Sequence, residues 1–329
     1  MTKTQFDVVG IGNAMVDVIV HADEAFLARQ SLTKGAMTLI DSARAEELYA
    51  AMPPAVEISG GSAGNTIAGV ASLGGRAAYI GKVSADQLGD VFRHDIRASG
   101  VAFDVPPATD GSATGRCLIF VTPDAQRTMQ TFLGAGAELY PGDVDEQLIA
   151  SAAVTYMEGY LWDPPGAKQA FLKAADIAHA AGRKVAISLS DPFCVERHRD
   201  EFLDLVQHHA DILFANEAEI TSLYQAERFD AALERVRSTC EIAALTRSER
   251  GAVIVAGDQI HVLPAEPARV VDTTGAGDLY AAGFLYGYTR GMALATCGRI
   301  GAIAAAEVIS HFGARPEVPL DAIVRARIR

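Results

Sequence analysis

From about residue 150 onward, short apolar runs alternate with helix-length stretches, and this alternation limits the possible folds more than any other feature. Ala153–Met157, Val185–Leu189, Ile212–Phe214, Ala243–Thr246 and Val253–Val255 have the length and composition of buried strands. Gly166–Ala181 and Asp230–Cys240 have the length of helices between them. Such a repeat sets strands side by side in parallel, with the crossovers covering both faces of the sheet. The expected fold class is therefore α/β, with a mostly parallel central sheet flanked by helices. Ligands in sheets of this kind bind beyond the carboxyl ends of the strands.

The first half is less regular. Phe6–Gly12 reads as a strand running into a Gly-x-Gly turn, with Asn13 and Asp17 just beyond. A dinucleotide fingerprint needs a third glycine where Met15 stands, so that reading fails. Val16, Val18 and Val20 alternate with Asp17 and Ile19, as in a strand. Short elements follow: a helix-like piece at Glu24–Gln30, an apolar run at Met37–Ile40, and a helix at Ser42–Ala51 stopped by Pro53-Pro54. Arg116–Val121 and Thr128–Leu133 flank a Pro123-Asp124 turn and suit a strand pair. These pieces predict a small β-rich lid from residues 15–60 and 111–137. Residues 1–14, 61–110 and 138–329 then form the large domain.

Composition narrows the function. The 329 residues carry 28 Lys and Arg against 41 Asp and Glu, so the formal charge is 28 − 41 = −13. A surface so acidic argues against nucleic-acid polymers and anionic membranes as partners, although a small nucleotide can still be held by one local loop. Cys117, Cys194, Cys240 and Cys297 are scattered without metal-ligand spacing, and the N-terminus lacks the apolar core of a signal peptide. Met292–Ser310 contains Arg299 and Glu307 and reads as a buried helix. A reduced cytoplasm is the expected home.

Three segments carry the chemistry. Val270-Val271-Asp272-Thr273-Thr274-Gly275-Ala276-Gly277-Asp278 ends an apolar run at an acid, passes through small residues and opens a helix with a second acid. Backbone N–H groups can converge there on phosphate oxygens, and Asp278 beside them can accept a proton from an attacking hydroxyl. The plainer reading is a helix cap. Gly60-Gly61-Ser62-Ala63-Gly64-Asn65 is either an ordinary loop or a hinge presenting Asn65 to a sugar hydroxyl. Asn216-Glu217-Ala218-Glu219 has capping-box spacing, which also suits hydrated Mg²⁺ on nucleotide phosphates. Arg127 is either a solvated turn residue or a group that meets a phosphate as the lid closes.

Together these segments resemble the ribokinase-like, PfkB-type carbohydrate kinases over nearly the whole chain. The closer resemblance is to the adenosine kinase branch, through Gly12-Asn13-Ala14-Met15-Val16-Asp17, Ser188-Leu189-Ser190-Asp191-Pro192-Phe193 and Asp211–Glu219. The resemblance implies ATP-dependent, Mg²⁺-dependent phosphorylation, preferably at the 5′-hydroxyl of adenosine. The alternatives are another nucleoside or a sugar such as ribose or fructose as acceptor, and a non-catalytic nucleoside-binding sensor, against which Asp278, Asn216, Glu219 and the anion loop argue. It implies Asp278 as general base, Gly275, Ala276 and Gly277 as the anion hole, and Arg127 closing on the phosphate. Asp17, with Asn13, Met15, Gly61, Ser62 and Asn65, would clamp the ribose. Phe193 would line the base pocket with Met37, Leu39, Leu133 and Leu161. Thr246, Ser248, Gly251, Thr274, Gly275 and Gly277 would lie on the ATP side, with Asn216 and Glu219 holding Mg²⁺ largely through water. A monovalent cation such as K⁺ and either a monomer or a lid-mediated homodimer remain compatible with the resemblance.

The chain departs from the family pattern at three places. Ser248 stands where glycine is common and Met37 where adenosine kinases offer Gln. The stacking Phe expected near Tyr160-Leu161-Trp162 is missing, so Trp162 either takes its place or packs in the core.

Overall fold

The computed structural model describes residues 4–124 and 126–328. In chain order the strands are β1 (Phe6–Ile11), β2 (Met15–His21), β3 (Met37–Leu39), β4 (Val56–Gly60), β5 (Ala77–Ile80), β6 (Gly115–Val121) and β7 (Arg127–Phe132). They continue with β8 (Ala152–Glu158), β9 (Lys184–Ser188), β10 (Ile212–Asn216), β11 (Ile242–Thr246), β12 (Ala252–Ala256) and β13 (Gln259–Leu263). Eight build one sheet in the order β13-β12-β11-β10-β9-β8-β1-β5, and five build a second in the order β3-β7-β6-β2-β4.

In the large sheet every pairing from β5 to β11 is parallel. The expected alternation stops after β11. Its connection to β12 is a short 3₁₀ turn at Ser248–Arg250, so β12 returns antiparallel and β13 follows as a hairpin strand. The apolar run at Val253–Val255 carried no sign of that reversal, because a buried strand reads alike in either direction. Two apolar cores occupy the two faces of this sheet. On β1, Val8 joins one of them while Val9 and Ile11 join the other.

Trp162 and Leu161 lie in the second core. The indole packs against Phe171 and Phe202, with ring centroids 6.0 and 5.9 Å away, and its Nε1 donates to Glu201 at 2.8 Å. Trp162 is therefore a packing residue and does not replace the missing stacking Phe. Leu161 has no exposed surface, so it meets no ligand directly.

The small sheet is two-faced. Val16, Val18 and Val20 of β2, with Leu118 and Phe120 of β6, point into the first core, as their alternation predicts. Register puts Met37, Met129, Ile119, Ile19 and Val56 in one row on the opposite face. The next row on that face is Leu39, Thr131, Cys117, Asp17 and Ile58. One acid thus sits within an apolar surface on which Met37 and Leu39 stay 44% and 50% exposed.

Helices Ser62–Ser72, Ala276–Tyr288 and Leu294–Val308 are rich in Ala and Gly because they pack closely. A Cβ on Gly69 would lie 2.6 Å from Leu279 and 2.7 Å from Ala282, and one on Gly283 would lie 2.6 Å from Gly301. This close approach brings the N-termini of the first two helices together.

Candidate active site

At the carboxyl ends of the parallel strands lie Asn13 after β1, Glu158 on β8, Asn216 on β10 and Thr246 on β11, the last two in direct register. Asp278 lies over this row in the first turn of the helix Ala276–Tyr288. Gly275 precedes that helix at φ 77°, and a Cβ there would lie 2.8 Å from Ala314, so the turn requires glycine. A Cβ on Gly277 would meet nothing within 4 Å. Gly275, Ala276 and Gly277 thus open a helix with free space beside Gly277, and a helix start favours an anion, although the Ala276 N–H here donates to Thr273 O at 3.3 Å.

Asp278 is gripped by the neighbouring helix. Ser62 Oγ donates to Oδ1 at 2.6 Å and Asn65 Nδ2 donates to Oδ2 at 3.0 Å. Ser62 and Asn65, expected at a sugar, here hold the acid, and Asn65 Oδ1 is buried with no partner. Burial raises the Asp278 carboxyl to about 6, against the lowering effect of these two bonds and of Arg315. Such a carboxylate, partly open to solvent, suits a proton acceptor near neutral pH.

Asp17 is also pushed up to about 6 by burial, with Arg315 and Arg127 opposing and Asp278 adding to the rise. A Cβ on Gly60 would meet its carboxylate at 2.5 Å, so the end of β4 lies directly on the acid. Gly61, at φ 86°, turns the chain where a Cβ would lie 2.1 Å from Asn13 O. Sequence reasoning passed over Glu158, which ties this turn together. Its carboxylate accepts from the backbone of Asn13 and Ala63 and from the Asn13 side chain. Burial still lifts Glu158 to about 7, against those bonds.

Arg127 shares the lid face with Met37 and Asp17 and reaches across to the loop before Asp278. It donates to Thr274 Oγ1 and pairs with Asp272. Asp272, which sequence reasoning left without a role, is buried and also accepts from Thr274 N at 3.1 Å and Gly313 N at 2.9 Å. Arg127 is therefore not a solvated turn residue.

Asn216 and Glu219 form the capping box. Asn216 Oδ1 accepts from Glu219 N at 2.9 Å, and Glu219 accepts from both the backbone and the side chain of Asn216. Burial lifts Glu219 to about 7, and Asp191 and Asp278 add to the rise. Thr246 leads into the turn in which Ser248 stands at φ 51° and Gly251 at φ 82°. Ser248 thus keeps the left-handed backbone for which glycine is the easier residue. Met37, Leu39 and Phe193 are exposed, Phe193 at 71%, and Leu133 is half-buried beside Met15 and Ile119.

Comparisons with known proteins agree with this geometry. The probable sugar kinase of Rhizobium etli CFN 42 is 54% identical, with a TM-score of 0.93 over 98% of this chain and 99% of its own. The adenosine kinase of Sinorhizobium meliloti is also 54% identical, with a TM-score of 0.92 and the same coverage. The adenosine kinase of Saccharomyces cerevisiae is 27% identical over 337 aligned residues, covering 95% of this chain and 97% of that one. The pfkB family carbohydrate kinase profile matches residues 35–321. With its fold and most of its length so matched, the chain belongs to the pfkB family of carbohydrate kinases, phosphotransferases that use ATP and an alcohol acceptor.

Proposed function

We propose that this protein phosphorylates the 5′-hydroxyl of adenosine, giving AMP and ADP. The observation that carries the choice of acceptor is the lid face. Asp17 is a lone carboxylate set among Met37, Leu39, Met129 and Ile119, a pattern that suits ribose hydroxyls at the acid and a flat apolar base beside it. A free sugar has no group for the apolar rows. Phe193, exposed across the cleft, supplies the second wall of the base pocket in this reading.

The mechanism follows from the residues already placed. The two-sheet arrangement acts as a body and a lid, with 15–60 and 111–137 in the lid. Asp17 holds the ribose so that its 5′-oxygen faces Asp278. The γ-phosphoryl group of ATP lies over Gly275, Ala276 and Gly277, with the nucleotide extending past Thr274 toward Thr246, Ser248 and Gly251. Lid closure excludes water, so that the phosphoryl group goes to the alcohol. Asp278 takes the hydroxyl proton as the oxygen attacks, while the helix N-terminus and Arg127 hold the charge on the transferring group.

Mg²⁺ fits this site through water. Each carboxylate oxygen of Glu219 already accepts one hydrogen bond from Asn216, so direct ligation of the ion would compete with the capping box, whereas a bound water can use the remaining lone pairs. The negative charges of Asp191 and Asp278 nevertheless add to the rise of the Glu219 carboxyl, a field that a hydrated cation would relieve. Asn216 and Glu219 would hold that hydration shell, and the ion would neutralise phosphate charge.

The test is ADP release from MgATP with adenosine, inosine, guanosine, cytidine, ribose and fructose supplied separately. A preference for adenosine of ~10²-fold in kcat/KM, about 2.7 kcal/mol at the transition state, is expected. Faster turnover of ribose or fructose would discard the adenosine assignment.

A further inference from the structure

Arg315 has no part in the reading above, yet it binds the strand end that runs into Gly60 and Gly61 and lies beside the turn that holds Asp278. Its Nε donates to Ser59 O at 3.2 Å and its Nη2 to Ser59 Oγ at 2.9 Å. Its Nη1 is buried without a hydrogen-bond partner. Nη2 lies 3.5 Å from the position a Cβ on Gly64 would take, beside the turn that carries Ser62 and Asn65. Ser59 is a buried residue of β4, and its N–H is also held by Asp95 at 2.7 Å. The next two residues are Gly60 and Gly61, against which Asp17 and Asn13 lie.

The rest of the same turn joins the lid to the anion loop. Phe312 meets His21, at the end of β2, edge-on with ring centroids 6.1 Å apart. Gly313 N donates to Asp272, and Ala314 packs on Gly275. Asp278 therefore has this turn behind it and acids around it. The titratable groups that act on it or feel it are Asp17 on β2, Glu158 and Tyr156 on β8, Tyr160 after β8, and Glu219 on the helix that follows Asn216. Arg315 is the cation that opposes them at Asp278, Arg127 joins it at Asp17, and Asp95 is the acid that acts most strongly on Arg315 itself.

We propose that Arg315 is a positioning residue for phosphoryl transfer, offsetting with its charge the acids crowded around Asp278 and fixing with its fork the lid strand at Ser59. The proposal rests on Asp278 being the proton acceptor. Its two parts separate by substitution. Glutamine removes the charge. Lysine keeps the charge but cannot reproduce the planar fork on Ser59.

The experiment compares the full-length wild type with Arg315→Gln, Arg315→Lys and Asp278→Asn, using MgATP and whichever acceptor of the panel turns over fastest. Steady-state rates are taken from pH 5 to 9, and folding is checked by thermal melts. Arg315→Gln should move the acid limb of kcat/KM up by about one pH unit, the scale of losing one neighbouring opposite charge. A folded Arg315→Gln with an unmoved limb overturns the proposal. Arg315→Lys should leave the limb in place and raise the acceptor KM by ~3-fold or more, as expected when a forked contact is lost at a clamp. If Arg315→Gln does not fold, the lysine variant decides alone. A fixed limb with raised KM supports the proposal, and a moved limb or an unchanged KM overturns it. Wild-type turnover by Asp278→Asn would sink the proton-acceptor reading itself. Its loss of turnover beside an unmoved limb in Arg315→Gln would sink the Arg315 proposal alone.

Discussion

Glu158 holds Asn13 twice through a single oxygen, Oε1, which accepts from the backbone N–H at 2.7 Å and from Nδ2 at 2.8 Å. Its other oxygen accepts from Ala63 N at 2.6 Å. Three donors converge on two acceptors in the interior, and a glutamine in either orientation would turn a donor toward one of them. Glu158→Gln should therefore cost about 1–3 kcal/mol, the scale of one unsatisfied buried group. It should also weaken acceptor binding, because Asn13 and Ala63 begin the turn that carries Asp17 and Ser62. Urea titration and the acceptor KM check the two effects separately.

The raised carboxyls set a direction for stability against pH. Asp17 and Asp278 stand at about 6, and Glu158 and Glu219 at about 7. All four lie above the ordinary range near 4 that applies to the unfolded chain. The native state therefore holds these protons more tightly than the unfolded state. The stability they add is full below about pH 4 and is lost as pH rises through 6 to 7. The ligand-free protein should melt at a lower temperature at pH 8 than at pH 6, and Glu219→Gln should flatten that dependence. A higher melting temperature at pH 8 would contradict the raised values.

For catalysis the sign reverses, because the proton acceptor works only when ionised. Wild-type kcat/KM should climb as pH rises through about 6, the value to which burial lifts Asp278. Asp278→Asn should lower kcat by at least ~10²-fold at pH 8, the usual scale for a general base. Its melting temperature should stay close to that of the wild type. A pH–rate profile and single-turnover kinetics test both expectations.

Arg127 of the lid pairs with Asp272 of the loop before Asp278, and the proposed mechanism takes the phosphoryl group past this pair. Arg127→Ala should lower kcat by ~10²-fold, the scale for removing one group that stabilises developing charge. Arg127→Lys should recover part of that loss, since a point charge replaces the fork. Asp272→Asn should cost stability as well, because Asp272 also accepts from Thr274 and Gly313. An Arg127→Ala enzyme with unchanged kcat would remove this residue from the mechanism.

Ser248 stands at φ 51°, a conformation that costs a residue with a Cβ about 1 kcal/mol or more. Ser248→Gly relieves that strain but frees the unfolded chain, at about 0.5–1 kcal/mol. The net expectation is a gain of a few tenths of a kcal/mol in denaturant titration, with the KM for ATP changed by less than about threefold. A large rise in that KM would give the serine hydroxyl a contact with the nucleotide.

Much of the fold was legible because its signals are local. Asp41 caps the helix Ser42–Ala51, Pro53-Pro54 ends it, and the alternation of Val16, Val18 and Val20 named the buried face of β2. The glycines of the anion loop and the spacing of Asn216 and Glu219 are local too. Glu158, Asp272 and Arg315 escaped notice for the opposite reason. Glu158 meets Asn13 across 145 residues and Arg315 meets Ser59 across 256, so no window of sequence holds both partners. The reversal at β12 was hidden because Gly251, the one glycine of the preceding turn, marks a turn without giving the direction in which the next strand runs. Trp162 stayed open between two roles for a different reason, since an aromatic near a strand end can serve a pocket or a core alike.

The glycine-to-leucine contact between Gly69 and Leu279 lies beside the reacting carboxylate on one helix and near the far end of the other, and it sets the gauge on which Asp278 and Ser62 are mounted. Two rods held this closely keep their tips in fixed register, whatever the loops beyond them do. Lid and nucleotide turns can then vary without altering the distance between an acid and its donor. A single methyl group at position 69 would move that distance, and the tolerance of the chemistry is therefore written in the packing of two small-residue surfaces.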